Sequence, residues 1–291
     1  PSCFGYSDGS ISIIPSGGTT PYNYFWSTGD TTQNLQNISS GQYIVSVIDS
    51  NICILYDTIT LLEPSPISVN ESINEVSCFG FSDGNISVLL NGGTGGYNLL
   101  WETGDSLLYI DSLSSDWYTL SVLDSNNCSL IDSFFVMQPT LLQDSVSIIN
   151  PTCNGFSNGS ATIFPYGSVP PYTYFWSNAS TSQTLQNVSS GQYSVIVTDA
   201  NNCIIYDTLE IVSPSSLTYS AINNSVSCFG NNDAFIDLSV SGGTPNYNYL
   251  WNTGDTTEDL TNISAGNYVV NILDSNDCLL IVNISIYQPQ D

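Results

Sequence analysis

The chain has 291 residues with no lysine, arginine or histidine against 26 acids, a formal net charge of −26. Side-chain salt bridges are therefore excluded, and nucleic acids and anionic membranes are poor partners because nothing neutralises phosphate; cations suit this polyanion better. A hydrophobic content of 41%, with 18 Tyr, 11 Phe and 5 Trp, is too high for disorder, and no apolar run approaches the roughly 18 residues of a membrane helix.

Cysteines stand at 3, 53, 78, 128, 153, 203, 228 and 278, so a spacing of 50 recurs every 75 residues. Trp26, Trp101, Trp176 and Trp251 keep the same step, as do Tyr43, Tyr118, Tyr193 and Tyr268, and Pro64, Pro139, Pro214 and Pro289. One small domain has been copied four times without insertion or deletion.

Within a copy the apolar residues alternate, as in strands with one buried face. After Cys3, Ile11 and Ile13 alternate with serines in an early strand; Gly17-Gly18 turns the chain, and Tyr22, Tyr24 and Trp26 share the inner face of a second. Trp26 and its copies are expected at the centre of each core. A turn at Thr28-Gly29-Asp30 leads into a polar stretch ending at Leu35 and Ile38. Tyr43, Val45 and Val47 then form the next inward face, Asp49-Ser50-Asn51 turns the chain before Cys53, and a last strand runs from Ile54 to Leu62. The segment from Ser65 to Ser77 supplies the first strand of the next copy. Seven short strands with a Trp on the third predict an all-β array of tandem immunoglobulin-like β-sandwich domains. Their expected boundaries are 1–64 (first strand missing), 65–139, 140–214 and 215–291. The absence of Ser/Gly-rich linkers predicts a stiff rod.

A unit of 75 residues sits near the size at which extracellular domains recruit disulfides. The 50-residue spacing predicts one bridge inside each domain, Cys3–Cys53, Cys78–Cys128, Cys153–Cys203 and Cys228–Cys278, each stabilising by about 4 kcal/mol on a chain-entropy account. Isolated cysteines without histidine do not suit zinc or iron–sulfur ligation. An opening on Pro1 without an apolar leader reads as a window of a longer secreted chain. Without His, Lys or Arg, nucleophilic triads and amine chemistry are closed, so no catalytic residues and no enzyme are expected.

The ordered run Cys3, Gly5, Asp8-Gly9, Gly17-Gly18, Pro21-Tyr22, Trp26, Gly29, Leu35, Ser40-Gly41, Tyr43, Asp49, Cys53 and Glu63-Pro64, repeated four times, resembles the SprB repeat. That family occurs in very large surface adhesins of gliding Bacteroidota. The resemblance implies a bacterial cell-surface address, export by type IX secretion, and a stalk or filament role in attachment, gliding or cell–cell contact. Copies depart from the pattern at Ala234, Ser168, Ala179 and Asp116, each replacing a turn glycine.

Three kinds of site compete with plain scaffold roles. Asp8, Asp30, Asp83, Asp105, Asp233 and Asp255 are weak calcium candidates, but Asn158 and Ser180 replace them in the third copy. The persistent Asp49, Asp124, Asp199 and Asp274, each two residues before an Asn, read as turn residues bonding their own backbone. No cofactor is otherwise expected. Asp followed by Ser or Thr and an aliphatic residue, which resembles a Bacteroidota O-glycan acceptor, marks Thr58, Ser112, Ser145 and Thr208. Phe25, Leu100, Phe175 and Leu250 point away from the core on the Trp strand. Either a loop of the same domain covers them, or they mediate lateral self-association into a fibre. Neighbouring repeats of the same chain are the expected partners, with surface polysaccharide or other cells engaged through distal regions. The alternative is a polysaccharide- or partner-binding module, for which exposed Trp117 is the aromatic candidate.

Overall fold

The computed structural model describes residues 1–290, so Asp291, the end of the fourth expected domain, lies outside the described residues. The chain divides into two compact units, Pro1–Pro139 and Thr140–Asp291. Among the described residues it is all strand, turn and loop.

Unit 1 begins with β1 (Gly9–Ile11), β2 (Asn23–Trp26), β3 (Leu35–Ile38), β4 (Gly41–Ile48) and β5 (Ile54–Leu61). It continues with β6 (Ser68–Asn74), β7 (Gly84–Asn91), β8 (Asn98–Trp101), β9 (Tyr109–Leu113), β10 (Trp117–Leu123) and β11 (Ser129–Phe135). Unit 2 repeats the scheme with β12 (Gln143–Ile149), β13 (Gly159–Tyr166), β14 (Thr173–Trp176), β15 (Thr184–Val188), β16 (Gly191–Thr198) and β17 (Ile204–Ile211). It closes with β18 (Thr218–Asn223), β19 (Ala234–Ser241), β20 (Asn248–Trp251), β21 (Leu260–Ile263), β22 (Gly266–Leu273) and β23 (Leu279–Ile286).

A complete copy has six strands, one fewer than the periodicity predicts. They form two antiparallel sheets, ordered β6-β7-β9 and β8-β10-β11 in the second copy, and the third and fourth copies repeat this order. The chain is thus a tandem series of immunoglobulin-like sandwiches.

Each sandwich closes over one tryptophan. Trp101, Trp176 and Trp251 are almost wholly buried, and the indole N–H of each donates to a backbone carbonyl, at 2.9 Å to Leu107, 2.8 Å to Ser182 and 2.8 Å to Thr257. The large ring is thereby packed without an orphaned donor. Tyr118 at the start of β10 donates its hydroxyl to the Ser114 carbonyl at 3.0 Å, and Tyr43, Tyr193 and Tyr268 make the same bond four residues back. This is the tyrosine corner that fixes the crossover in immunoglobulin-like folds.

The polar stretch before Tyr43 is a strand as well. In β3, Leu35 and Ile38 lie three apart yet share the inner side, because Asn37 takes φ 56° and a bulge shifts the register against β1. Ser112, Asn187 and Asn262 repeat that positive φ.

Candidate functional site

The junction between the two copies of a unit is built from two loops that lie at opposite ends of a sandwich. One is the loop before β1, carrying Cys3. Its Gly5 N–H donates to Glu63 Oε2 at 2.6 Å, which ties it to the far end of β5. The other is the hairpin turn at Asp49–Cys53, which opens β5 at Ile54. Eight strand residues separate the two, roughly 26 Å at the rise of a β-strand. Cystine formation needs Cα atoms within about 7 Å. Cys3 and Cys53 of one sandwich therefore cannot meet.

The bridges run instead between copies. Cys3 is bonded to Cys128 and Cys153 to Cys278, each with Cα atoms 5.6 Å apart and 125 residues of separation. This corrects all four intradomain pairings expected from the spacing. Cys53 and Cys228 are free and exposed, while Cys78 and Cys203 are not free thiols. Within each unit the first cysteine of the leading copy thus joins the second cysteine of the copy that follows it. On the chain-entropy account a loop of that length stabilises by about 5 kcal/mol.

The hairpin side of the junction is held by the aspartate that recurs in each turn. In the second copy Asp124 accepts N–H groups from Asn126 at 2.8 Å, Cys128 at 2.9 Å and Thr94 at 2.9 Å. Asp274 does the same with Asn276, Cys278 and Thr244, and Asp49 with Asn51, Cys53 and Thr19. Asp199 accepts from Asn201, Cys203 and Val169. Burial alone would raise the carboxyls of Asp124, Asp199 and Asp274, but their N–H donors, joined at Asp199 by the Ser168 hydroxyl as the largest opposing bond, together outweigh it and hold them below the usual carboxylate range. The Cys53 and Thr19 N–H groups do so for Asp49. The turn reading of these aspartates stands. Gly93 shows how tightly this corner is packed. Its φ is +60°, and an added Cβ would lie 2.7 Å from the Asp124 carboxylate.

The asparagine of the same turn reaches across the junction. Asn126 Nδ2 donates to the Ser2 carbonyl at 3.0 Å, and Asn276 Nδ2 to the Thr152 carbonyl at 3.1 Å. That role was not legible in a single repeat, because its acceptor belongs to another copy. Beside each cystine lies a groove, lined by Phe4, Tyr6, Pro66, Ile67 and Leu130 in unit 1 and by Phe156, Ser216, Leu217 and Leu280 in unit 2.

The calcium candidates fall into local turns. Asp83 accepts the Ser77 N–H at 3.0 Å, Asp8 that of Ser2 at 2.9 Å and Asp233 that of Ser227 at 3.0 Å, and each carboxyl is lowered first by the hydroxyl of that serine and then by its N–H. Asn158 accepts the Thr152 N–H at 3.1 Å in the same way, so an amide serves there as well as a carboxylate. Asp30, Asp105 and Asp255 accept hydroxyl bonds from Thr28, Thr103 and Thr253 two residues before. No three such ligands converge among the described residues.

Thr58, Ser112, Ser145 and Thr208 are all exposed. Phe25, Leu100, Phe175 and Leu250 are each more than half exposed, so no loop of their own sandwich covers them. Trp117 is exposed too and packs on Phe135 with ring centroids 5.2 Å apart.

Among solved structures the chain is similar to the N-terminal eight Ig domains of Down Syndrome Cell Adhesion Molecule isoform 1.30.30, at 9% identity and TM-score 0.27, covering 97% of this chain. The chain spans 58% of that structure's length. It is also similar to the insect immune protein hemolin, at 10% identity and TM-score 0.26, covering 98% of this chain and 96% of that one. No curated protein matches. The SprB repeat family matches residues 1–31, 70–106, 145–181 and 220–256, each match ending just past the turn after the Trp strand and the last three beginning within β6, β12 and β18. The chain carries four SprB repeats.

Proposed function

We propose that this chain is a load-bearing, non-catalytic stalk segment of a secreted bacterial surface adhesin, with domains bounded at residues 64, 139 and 214. The observation that carries the reading is the register of the cystines. Tension entering unit 1 at Pro1 passes from Cys3 through sulfur to Cys128, and so bypasses the residues between them. In unit 2 it passes from Cys153 to Cys278. Hydrogen-bonded sheets in the bypassed segments bear no load, and an intradomain bridge would not have this effect on the linkers. The acidic surface and the lack of trypsin sites suit long exposure outside a cell. Distal regions of the parent adhesin would engage polysaccharide or other cells.

Single-molecule pulling from the two ends tests this. With the cystines intact, neither the segment between Cys3 and Cys128 nor that between Cys153 and Cys278 should extend. After reduction each of these 125-residue spans should release up to about 450 Å. Stepwise unfolding of single sandwiches without reductant would contradict the proposal.

A second reading, lateral association of stalks, is favoured by one cross-strand row. Phe25 pairs through Ser46 to Tyr56, Leu100 through Ser121 to Ile131, Phe175 through Ile196 to Tyr206, and Leu250 through Asn271 to Ile281. The outer members of every row are exposed. A ligand-binding module is less well supported, since the exposed Trp117–Phe135 pair occurs in one copy alone.

A further inference from the structure

The hairpin turn of the first copy is a socket of the same build as those at Cys128 and Cys278, which hold cystines. Asp49 accepts the N–H groups of Asn51 at 2.9 Å, Cys53 at 2.8 Å and Thr19 at 3.0 Å, matching Asp124 and Asp274. Cys53 occupies the place of Cys128 and Cys278, and its thiol is free and exposed. A groove lies beside it, lined by Gly17, Gly18, Tyr22, Ile54 and Leu55; Gly18, Ile54 and Leu55 correspond to Gly93, Ser129 and Leu130 and to Gly243, Leu279 and Leu280, which line the grooves beside the cystines of units 1 and 2. Among the described residues Asn51 Nδ2, the counterpart of the Asn126 and Asn276 amides that cross a junction, bonds Thr19 Oγ1 of its own copy at 2.9 Å.

The matching plug is the loop at Cys228, the other free and exposed cysteine. It already has the conformation of the bonded loops. Asn231 N–H donates to the Cys228 carbonyl at 3.1 Å, as Tyr6 N–H does to Cys3 and Phe156 N–H to Cys153 at 3.2 Å. Asp233 caps it through Ser227, and Gln288 holds Gly230 N–H at 3.3 Å, as Glu63 holds Gly5.

We propose that the Cys53 groove is a docking site for the cysteine loop of a further repeat of this kind, and that docking ends in a disulfide. A second copy of the chain supplies such a loop at Cys228. With oxidised glutathione as oxidant, the Cys53 thiolate attacks one sulfur of the glutathione disulfide and expels one glutathione thiolate. The Cys228 thiolate then attacks Cys53 Sγ and expels the second. The products are one Cys53–Cys228 bond and two reduced glutathiones, which take up the two thiol protons. The inference extends the observed junction geometry and does not depend on whether the array bears load.

The test is to incubate the folded chain in a reduced and oxidised glutathione buffer and to resolve the products on a non-reducing gel, with mass spectrometry of the linked peptides. A ladder of oligomers joined Cys228 to Cys53 is expected. Cys53→Ser and Cys228→Ser variants should each stay monomeric alone, and mixed together should give a dimer in at least tenfold higher yield than either by itself. Both cysteines are exposed, so neither change disturbs a core. Cys53–Cys53 and Cys228–Cys228 links in comparable yield would overturn the proposal, as would a monomer with both thiols capped by glutathione.

Discussion

Asp49, Asp124, Asp199 and Asp274 each spend both carboxylate oxygens on backbone N–H groups, and this decides how the fold responds to acid. Their carboxyls, with those of Asp8, Asp83 and Asp233, are lowered on folding. A lowered folded pKa contributes stability that is fully present above the unfolded value of about 3.9 and is lost as pH falls through the folded value. Asp144 acts in the opposite sense, since burial and then Asp207 raise it. Relief of charge repulsion also opposes the effect, but salt at 0.15 M screens exposed acids beyond about 8 Å. At that salt, thermal melting followed by circular dichroism should show a midpoint nearly level above pH 5 and falling below about pH 4. An Asp274→Asn chain should show a shallower fall. A midpoint that climbs steadily down to pH 2 would mean that repulsion outweighs the turn bonds. The turn role was legible from Asp and Asn at fixed spacing before a cysteine. The fading of Asp8 to Asn158 was legible as evidence against metal, and its bond to the Thr152 N–H explains why the amide suffices.

At the scale of strands, alternation located the Trp strand, the Tyr43 strand and the last strand of each copy closely. It missed β3, because a bulge puts Leu35 and Ile38 on one side three residues apart and so imitates an irregular polar stretch. Alternation also identified Phe25 and its copies as outward-facing without telling what covers them. Their exposure leaves on each sandwich a row of two large apolar side chains flanking one residue of the central strand. The rows of the first and third copies are aromatic at both ends, and those of the second and fourth are aliphatic. Sedimentation at high salt, where like-charge repulsion is screened, should therefore show reversible association that rises with concentration. Changing Phe25 and Phe175 to Asp should abolish it without altering the melting midpoint by more than about 1 kcal/mol equivalent, as for surface positions. A strict monomer at every concentration would rule the lateral interface out.

For the whole molecule, periodicity itself concealed the cystine register. In an array with a 75-residue period, a spacing of 50 and one of 125 join the same two kinds of cysteine, and sequence alone does not distinguish them. Geometry does, because the loop of Cys3 and the turn of Cys53 lie at opposite ends of β5, while the two sandwiches within a unit bring unlike ends together. The most direct measurement is peptide mapping of the unreduced chain. Digestion at aromatic residues is suitable because there is no lysine or arginine to cut. Linked peptides containing Cys3 with Cys128, and Cys153 with Cys278, are expected. Recovery of Cys3 with Cys53, or of Cys228 with Cys278, would contradict the inter-repeat register and the load path built on it.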